Sequence, residues 1–177
     1  TLIALNALMS VFYLGNFVFK ALLVWLGGEA QARASTAIEA EARLMRDDDL
    51  PVYTVLVPMF REPEVLPILT AALRRLDYPI ARLDIKIVLE EGDQLTIDAA
   101  TALGLEDIFE IILVPPSQPQ TKPKACNYAL QFARGDFLVI YDAEDKPEPD
   151  QLKKVVVTFA RSPANVACVQ CRLNYFN

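Results

Sequence analysis

The first 28 residues are nearly unbroken Leu, Val, Phe, Ala and Ile, interrupted by Asn6, Ser10, Asn16 and Lys20, with no acid and no proline. At about 1.5 Å rise per residue, such a stretch is long enough to cross a bilayer core of roughly 30 Å. Lys20 lies near enough to one end to snorkel. The basic start of a signal peptide is missing, and the competing reading is a buried helix of a soluble protein. The pattern predicts a transmembrane helix over residues 1–28. Residues 29–50 change to Ala, Glu and Arg and end in Asp47-Asp48-Asp49, as expected of a charged helical linker. Arg33, Arg43 and Arg46 point to the cytoplasmic side of a plasma (inner) membrane.

Residues 51–177 alternate between short β-branched runs and helical periodicity, the signature of an α/β, mostly parallel sheet with flanking helices. Strands are expected at 53–57, stopped by Pro58, and at 84–89, 109–114 and 137–140, with a last one beginning at 166–170. Helices are expected at 64–76, 94–103, 124–133 and 151–160. The run Phe137-Leu138-Val139-Ile140 is continuously apolar and reads as a fully buried strand. Acids recur just after these strands: Glu62, then Glu90 and Glu91, then Asp142, Glu144 and Asp145. Right-handed βαβ crossovers would bring them to one edge, where ligands of open α/β sheets bind. The plainer reading is that acids favour helix starts on that edge.

Net charge is −6, and Lys20 is the only charge among the first 28 residues, so the body of the chain is acidic. That argues against nucleic acid as a partner. It does not exclude a phosphorylated ligand, because a cation reverses the local sign. The absence of histidine removes Ser-His-Asp and Cys-His catalysis and the usual zinc hydrolase sites. Cys126, Cys168 and Cys171 are too few for a four-thiolate zinc site and read as buried thiols. Clustered carboxylates such as Asp142, Glu144 and Asp145 suit Mg²⁺ or Mn²⁺, which use one or two carboxylates plus substrate phosphates; a solvated acidic turn is the alternative. Thr121-Lys122-Pro123-Lys124 opens a helix and supplies two cations for phosphate. No Walker A or GxGxxG pattern is present.

Together these residues resemble a processive-type family 2 glycosyltransferase, the cellulose synthase-like group with the GT-A fold. Val57-Pro58-Met59-Phe60-Arg61-Glu62 is similar to its first-strand motif and Val88-Leu89-Glu90-Glu91-Gly92-Asp93 to its second-strand acidic pair. Lys124-Ala125-Cys126-Asn127 is similar to its KAGN segment, Tyr141-Asp142-Ala143-Glu144-Asp145 to its DxD motif, and residues 169–177 to its VQ…N strand. The resemblance implies that Phe60, Glu62 and Glu91 hold the uridine end of a UDP-sugar, with Pro58 and Glu90 also in the donor-binding set. It places Lys124 and Asn127 near the diphosphate or donor sugar. Asp142, with Glu144 or Asp145 as the second acid, would bind the Mg²⁺ or Mn²⁺. It further implies an inverting, membrane-anchored hexosyltransferase acting on a polysaccharide or lipid-linked acceptor. The family's TED and QxxRW motifs, which carry base and acceptor, are expected beyond Asn177, so the chain would hold the donor-binding half and not transfer sugar by itself. The alternatives are a non-catalytic, membrane-tethered nucleotide-binding module and a metal-dependent nucleotidyltransferase.

Overall fold

The computed structural model describes residues 2–171, with residues 27–33 defined by backbone alone. The chain divides into two units, one ending at Arg43 and the other beginning at Leu44. The first is a single helix, α1 (Leu2–Leu44). Its segment Leu2–Leu26 is long and apolar enough to cross a membrane. The apolar stretch and the Ala/Glu/Arg stretch therefore form one continuous helix. No proline interrupts them, and Ala, Glu and Arg are strong helix formers.

The second unit is built on four parallel strands in the order β3-β2-β1-β4. These are β1 (Tyr53–Met59), β2 (Leu83–Glu90), β3 (Glu110–Val114) and β4 (Phe137–Ile140). Between them run α2 (Leu66–Leu73), α3 (Gln94–Ala102) and α4 (Lys122–Ala129), and α5 (Gln151–Arg161) follows β4. Strand alternation sorts the side chains between two cores. Val55, Val57, Ile85, Ile87 and Leu89 pack with Leu66, Leu69, Ala100, Leu152 and Val156 of α2, α3 and α5. Leu56, Val88, Ile112 and Val114 face Ala125 and Ala129 of α4 on the other side.

Several sequence expectations are corrected. Pro58 does not stop β1, which runs on to Met59 with Pro58 opposite Val88. The β1–β4 pairing ends at Leu56, whose carbonyl accepts from Tyr141 N–H. Two residues on, Pro58 turns its missing donor to that same side, past the end of β4, so no ladder bond is lost. The helix expected at 64–76 is a 3₁₀ turn (Pro63–Val65) followed by the shorter α2. The helix expected at 124–133 begins earlier, at Lys122, and ends in a 3₁₀ turn (Leu130–Phe132). β4 is not fully buried: it is the sheet edge, with Leu138 and Ile140 about 40% exposed and only Phe137 and Val139 against the core. Residues 166–170 pair with no strand among the described residues, and extended chain without a ladder is not a strand. Residues 172–177 of the VQ…N motif lie outside the described residues. Cys126 is buried as expected, whereas Cys168 and Cys171, in the segment after α5 that joins no described strand, are exposed.

The end of the sheet opposite the strand carboxyl ends holds a feature that hydropathy did not reveal. Lys86 is fully buried and Asp84 nearly so. Asp84 accepts from Thr54 Oγ1 at 2.8 Å, Lys86 Nζ at 3.0 Å and the Arg134 backbone N–H at 3.0 Å. The Arg134 guanidinium adds bonds of 3.1 and 2.7 Å to the same carboxylate. Lys86 also reaches Glu110 at 2.7 Å. Gly135 N–H donates to Thr54 Oγ1 at 2.9 Å, and Asp136 N–H donates to Val52 at 2.9 Å. The cluster thus locks the residues before β4 onto β1. Burial alone would raise the Asp84 pKa, but the bonds from Arg134, Lys86 and Thr54 outweigh it and hold the group at about 2, below its ordinary 3.8.

Two outcomes are expected of this arrangement, both measured by denaturant unfolding of the detergent-solubilised chain. A Cβ on Gly135 would sit 2.5 Å from the Thr54 backbone nitrogen and 2.7 Å from the Phe137 carbonyl oxygen. Backbone cannot yield as a side chain can, so Gly135→Ala should destabilise the second unit by about 2 kcal/mol. Asp84→Ala strands Lys86 without its buried partner and should cost about 3 to 5 kcal/mol. Because the folded pKa of Asp84 is depressed, its contribution is complete above pH 4 and fades as pH falls toward 2. Asp84→Asn should therefore flatten the pH dependence of stability across that window.

Candidate functional site

Parallel pairing brings the carboxyl ends of all four strands to one edge, and a cleft of about 440 Å³ opens there. That volume lies within the range of small-molecule sites. Its walls come from three places: Pro58, Met59, Phe60 and Glu62 at and just after the end of β1; Gln120, Thr121, Lys122 and Ala125 at the start of α4; and Asp142, Ala143 and Glu144 after β4. Glu90, the last residue of β2, completes the lining.

Each wall has a local cause. At Arg61 the backbone adopts φ 58°, the left-handed region that a side chain rarely occupies. Asp93 holds it there: one carboxylate oxygen accepts the Arg61 N–H at 2.5 Å while the other caps α3 through the Thr96 N–H at 3.4 Å. The turn exposes Phe60 on the cleft, with the Arg61 guanidinium stacked 4.9 Å above its ring. After β4, Asp145 N–H donates to the Asp142 carbonyl at 3.0 Å, and the Asp145 carboxylate accepts the Asp142 N–H at 2.7 Å. This reciprocal turn leaves the Asp142 and Glu144 side chains exposed on the cleft. Below it, Tyr141 is buried and donates its hydroxyl to Gln151 of α5 at 2.6 Å, and burial raises its pKa.

The acids of this edge are met by lysines. Lys124 Nζ lies 3.2 and 3.4 Å from the two oxygens of Glu90 and donates to the Pro115 carbonyl at 2.9 Å. Lys122 forms an ion pair with Asp142 across the cleft. Cys126, behind them on α4, is buried, and burial pushes its thiol pKa up.

Of the sequence-derived site residues, Pro58, Phe60, Glu62, Glu90, Asp142 and Glu144 come together on the cleft. Lys124 reaches it only through Glu90, and the Asp145 carboxylate closes the turn beneath it. Glu91 and Asn127 are exposed outside the lining. Sequence reasoning assigned no individual role to Met59, Gln120, Thr121, Lys122, Ala125 or Ala143. Lys122 alone carried a signal, as one of two cations at a helix start. Among the described residues, no three His, Cys, Asp or Glu side chains are grouped to hold a metal by themselves. Asp142 and Glu144 nonetheless offer two oxygen donors on one wall, the donor type and number that Mg²⁺ or Mn²⁺ requires when phosphate oxygens complete the shell.

A parallel α/β sheet with a cleft at its carboxyl edge defines the open α/β class, whose ligands bind at that edge. Residues 54–176 match the sequence profile of "Glycosyl transferase family 2", and the chain belongs to that family. It is 30% identical over 102 residues to a probable glycosyltransferase of Bacillus subtilis, YdaM, covering 56% of this chain and 24% of that protein. It is 26% identical over 146 residues to a probable glucomannan 4-beta-mannosyltransferase of Arabidopsis thaliana, covering 73% and 25%. Among solved structures it resembles a mannosyltransferase from Pyrobaculum calidifontis in complex with GDP-Man and Mn²⁺, with a TM-score of 0.55 and 25% identity over 74% of this chain and 41% of that one. The fold is GT-A, and the chain spans about a quarter of the length of these two curated relatives.

The double duty of Asp93 is open to a direct check. Asp93→Ala removes a helix cap and the partner of a strained backbone together, so stability should fall by about 1 to 2 kcal/mol. Asp93→Asn, which keeps an acceptor oxygen, should lose less in the same unfolding measurement.

Proposed function

We propose that this chain binds the nucleotide-sugar donor of an inverting, membrane-anchored glycosyltransferase whose acceptor is a growing polysaccharide or a lipid-linked glycan. Family membership supports transfer chemistry. The observation that carries the donor site is the single cleft that gathers Phe60, Glu90, Lys122, Asp142 and Glu144 from separate elements. Phe60 offers an aromatic face to a base, and Glu62 offers an acceptor for base or ribose N–H or O–H groups. Lys122 faces the diphosphate, while Asp142 and Glu144 hold the divalent cation. A bound Mg²⁺ or Mn²⁺ would neutralise charge that grows on the nucleoside diphosphate as it departs. The residues around it orient the donor and fix its charges in place before reaction, which lowers the barrier without reorganisation. α1 anchors the domain, and Arg43 and Arg46 after its apolar segment favour the cytoplasmic face, where the positive-inside rule puts them.

The motif resemblance favours UDP-hexose. GDP-mannose is the second reading, supported by the mannosyltransferase relatives and by the neighbour holding GDP-Man. Calorimetry of UDP and GDP against the detergent-solubilised chain, with and without Mn²⁺, tests both. One nucleotide should bind at least tenfold more tightly with Mn²⁺, and Asp142→Ala should remove that gain. Nucleotide binding that ignores both Mn²⁺ and Asp142→Ala would sink the site.

A further inference from the structure

We infer that Lys122 and Asp142 form an exchangeable ion pair that couples cation binding to nucleotide binding. The inference rests on the nucleotide-sugar reading and concerns how that site is switched on. The two lysines at the start of α4 are not equivalent. Lys124 is held by the nearly buried Glu90 and by the Pro115 carbonyl, and its side chain is 22% exposed. It has no room to serve a ligand without abandoning a buried carboxylate. Lys122 lines the cleft, its side chain is 45% exposed, and its partner Asp142 is 57% exposed. An ion pair so exposed contributes little, so it separates readily when a stronger partner arrives.

The ammonium and a divalent cation compete for one carboxylate. While Lys122 sits on Asp142, half the charge of the acid wall is already offset and a cation alone gains less there. A diphosphate carries more negative charge than one carboxylate and draws the flexible Lys122 side chain onto itself. Asp142 is then left beside Glu144 with no positive partner, and its demand for a cation rises. By linkage, a cation on Asp142 releases Lys122 and improves binding of the diphosphate by the same factor. Lys122 thereby offsets the Asp142 half of the acid pair until donor and cation enter together.

The test measures three affinities on the full chain in detergent: Mn²⁺ alone, UDP or GDP alone, and the nucleotide in saturating Mn²⁺. Lys122→Met should bind Mn²⁺ alone several-fold more tightly than the wild type. Its nucleotide affinity in Mn²⁺ should fall about tenfold, and the ratio of nucleotide affinities with and without Mn²⁺ should shrink below the wild-type value. Lys122→Arg, which keeps the charge, should restore most of the ratio. A general loosening of the fold would weaken Mn²⁺ binding, the opposite sign. If the wild type shows Mn²⁺-coupled nucleotide binding and Lys122→Met keeps both the wild-type ratio and the wild-type Mn²⁺ affinity, the exchange is wrong and the site stands. A wild type that binds neither nucleotide overturns both.

Discussion

The carboxylate of Asp84 is the constraint on which the geometry of the cleft depends. It accepts five hydrogen bonds, from Thr54 of β1, Lys86 of β2 and both backbone and side chain of Arg134 just before β4. In a buried charge so fully paired, the hydrogen bonds offset the desolvation penalty that would otherwise disfavour it. β4 needs this help. It is four residues long and, among the described residues, lies at the sheet edge with β1 as its one strand neighbour. Its register, Tyr53 against Phe137 through Leu56 against Ile140, determines where the chain emerges at Tyr141 and Asp142. The acid wall of the cleft is therefore positioned from the far end of the sheet, through Arg134, Gly135 and the strand between.

At the cleft itself the governing fact is charge neutralisation. Four parallel strands deliver Glu90, Asp142 and Glu144 to one edge, and like charges so gathered would repel. Lys124 answers Glu90 and Lys122 answers Asp142. The first pair is largely buried, and the second is exposed on the cleft. One helix start thus supplies both a buried ion pair and an exposed one, from lysines two residues apart.

Much of this was legible beforehand. The alternation of β-branched runs and helical stretches forecast the parallel sheet, because a strand followed by a helix returns to the same edge in only one hand. The acids after each strand then had to converge, and Glu62, Glu90, Asp142 and Glu144 do. What misled the reading was neighbourhood. Phe137 to Ile140 is as apolar as any central strand, yet Leu138 and Ile140 face outward at an edge. Pro58 is a strand breaker only where its missing donor would have had a partner. Glu90 and Glu91 are adjacent and chemically alike, but Glu90 ends β2 on the cleft while Glu91 begins the turn after it and lies outside.

The sequence by itself determined the periodicities, the order of strands along the chain, the apolar helix Leu2–Leu26 and the kinds of chemistry open to a chain with no histidine. These are local properties, fixed by the spacing and type of neighbouring residues. The tertiary structure decided which charges meet. Asp84 and Arg134 are fifty residues apart, and Lys122 and Asp142 are separated by all of β4 and α4. Such partners are set by packing and strand order across the sheet, so no spacing rule along the chain announces them.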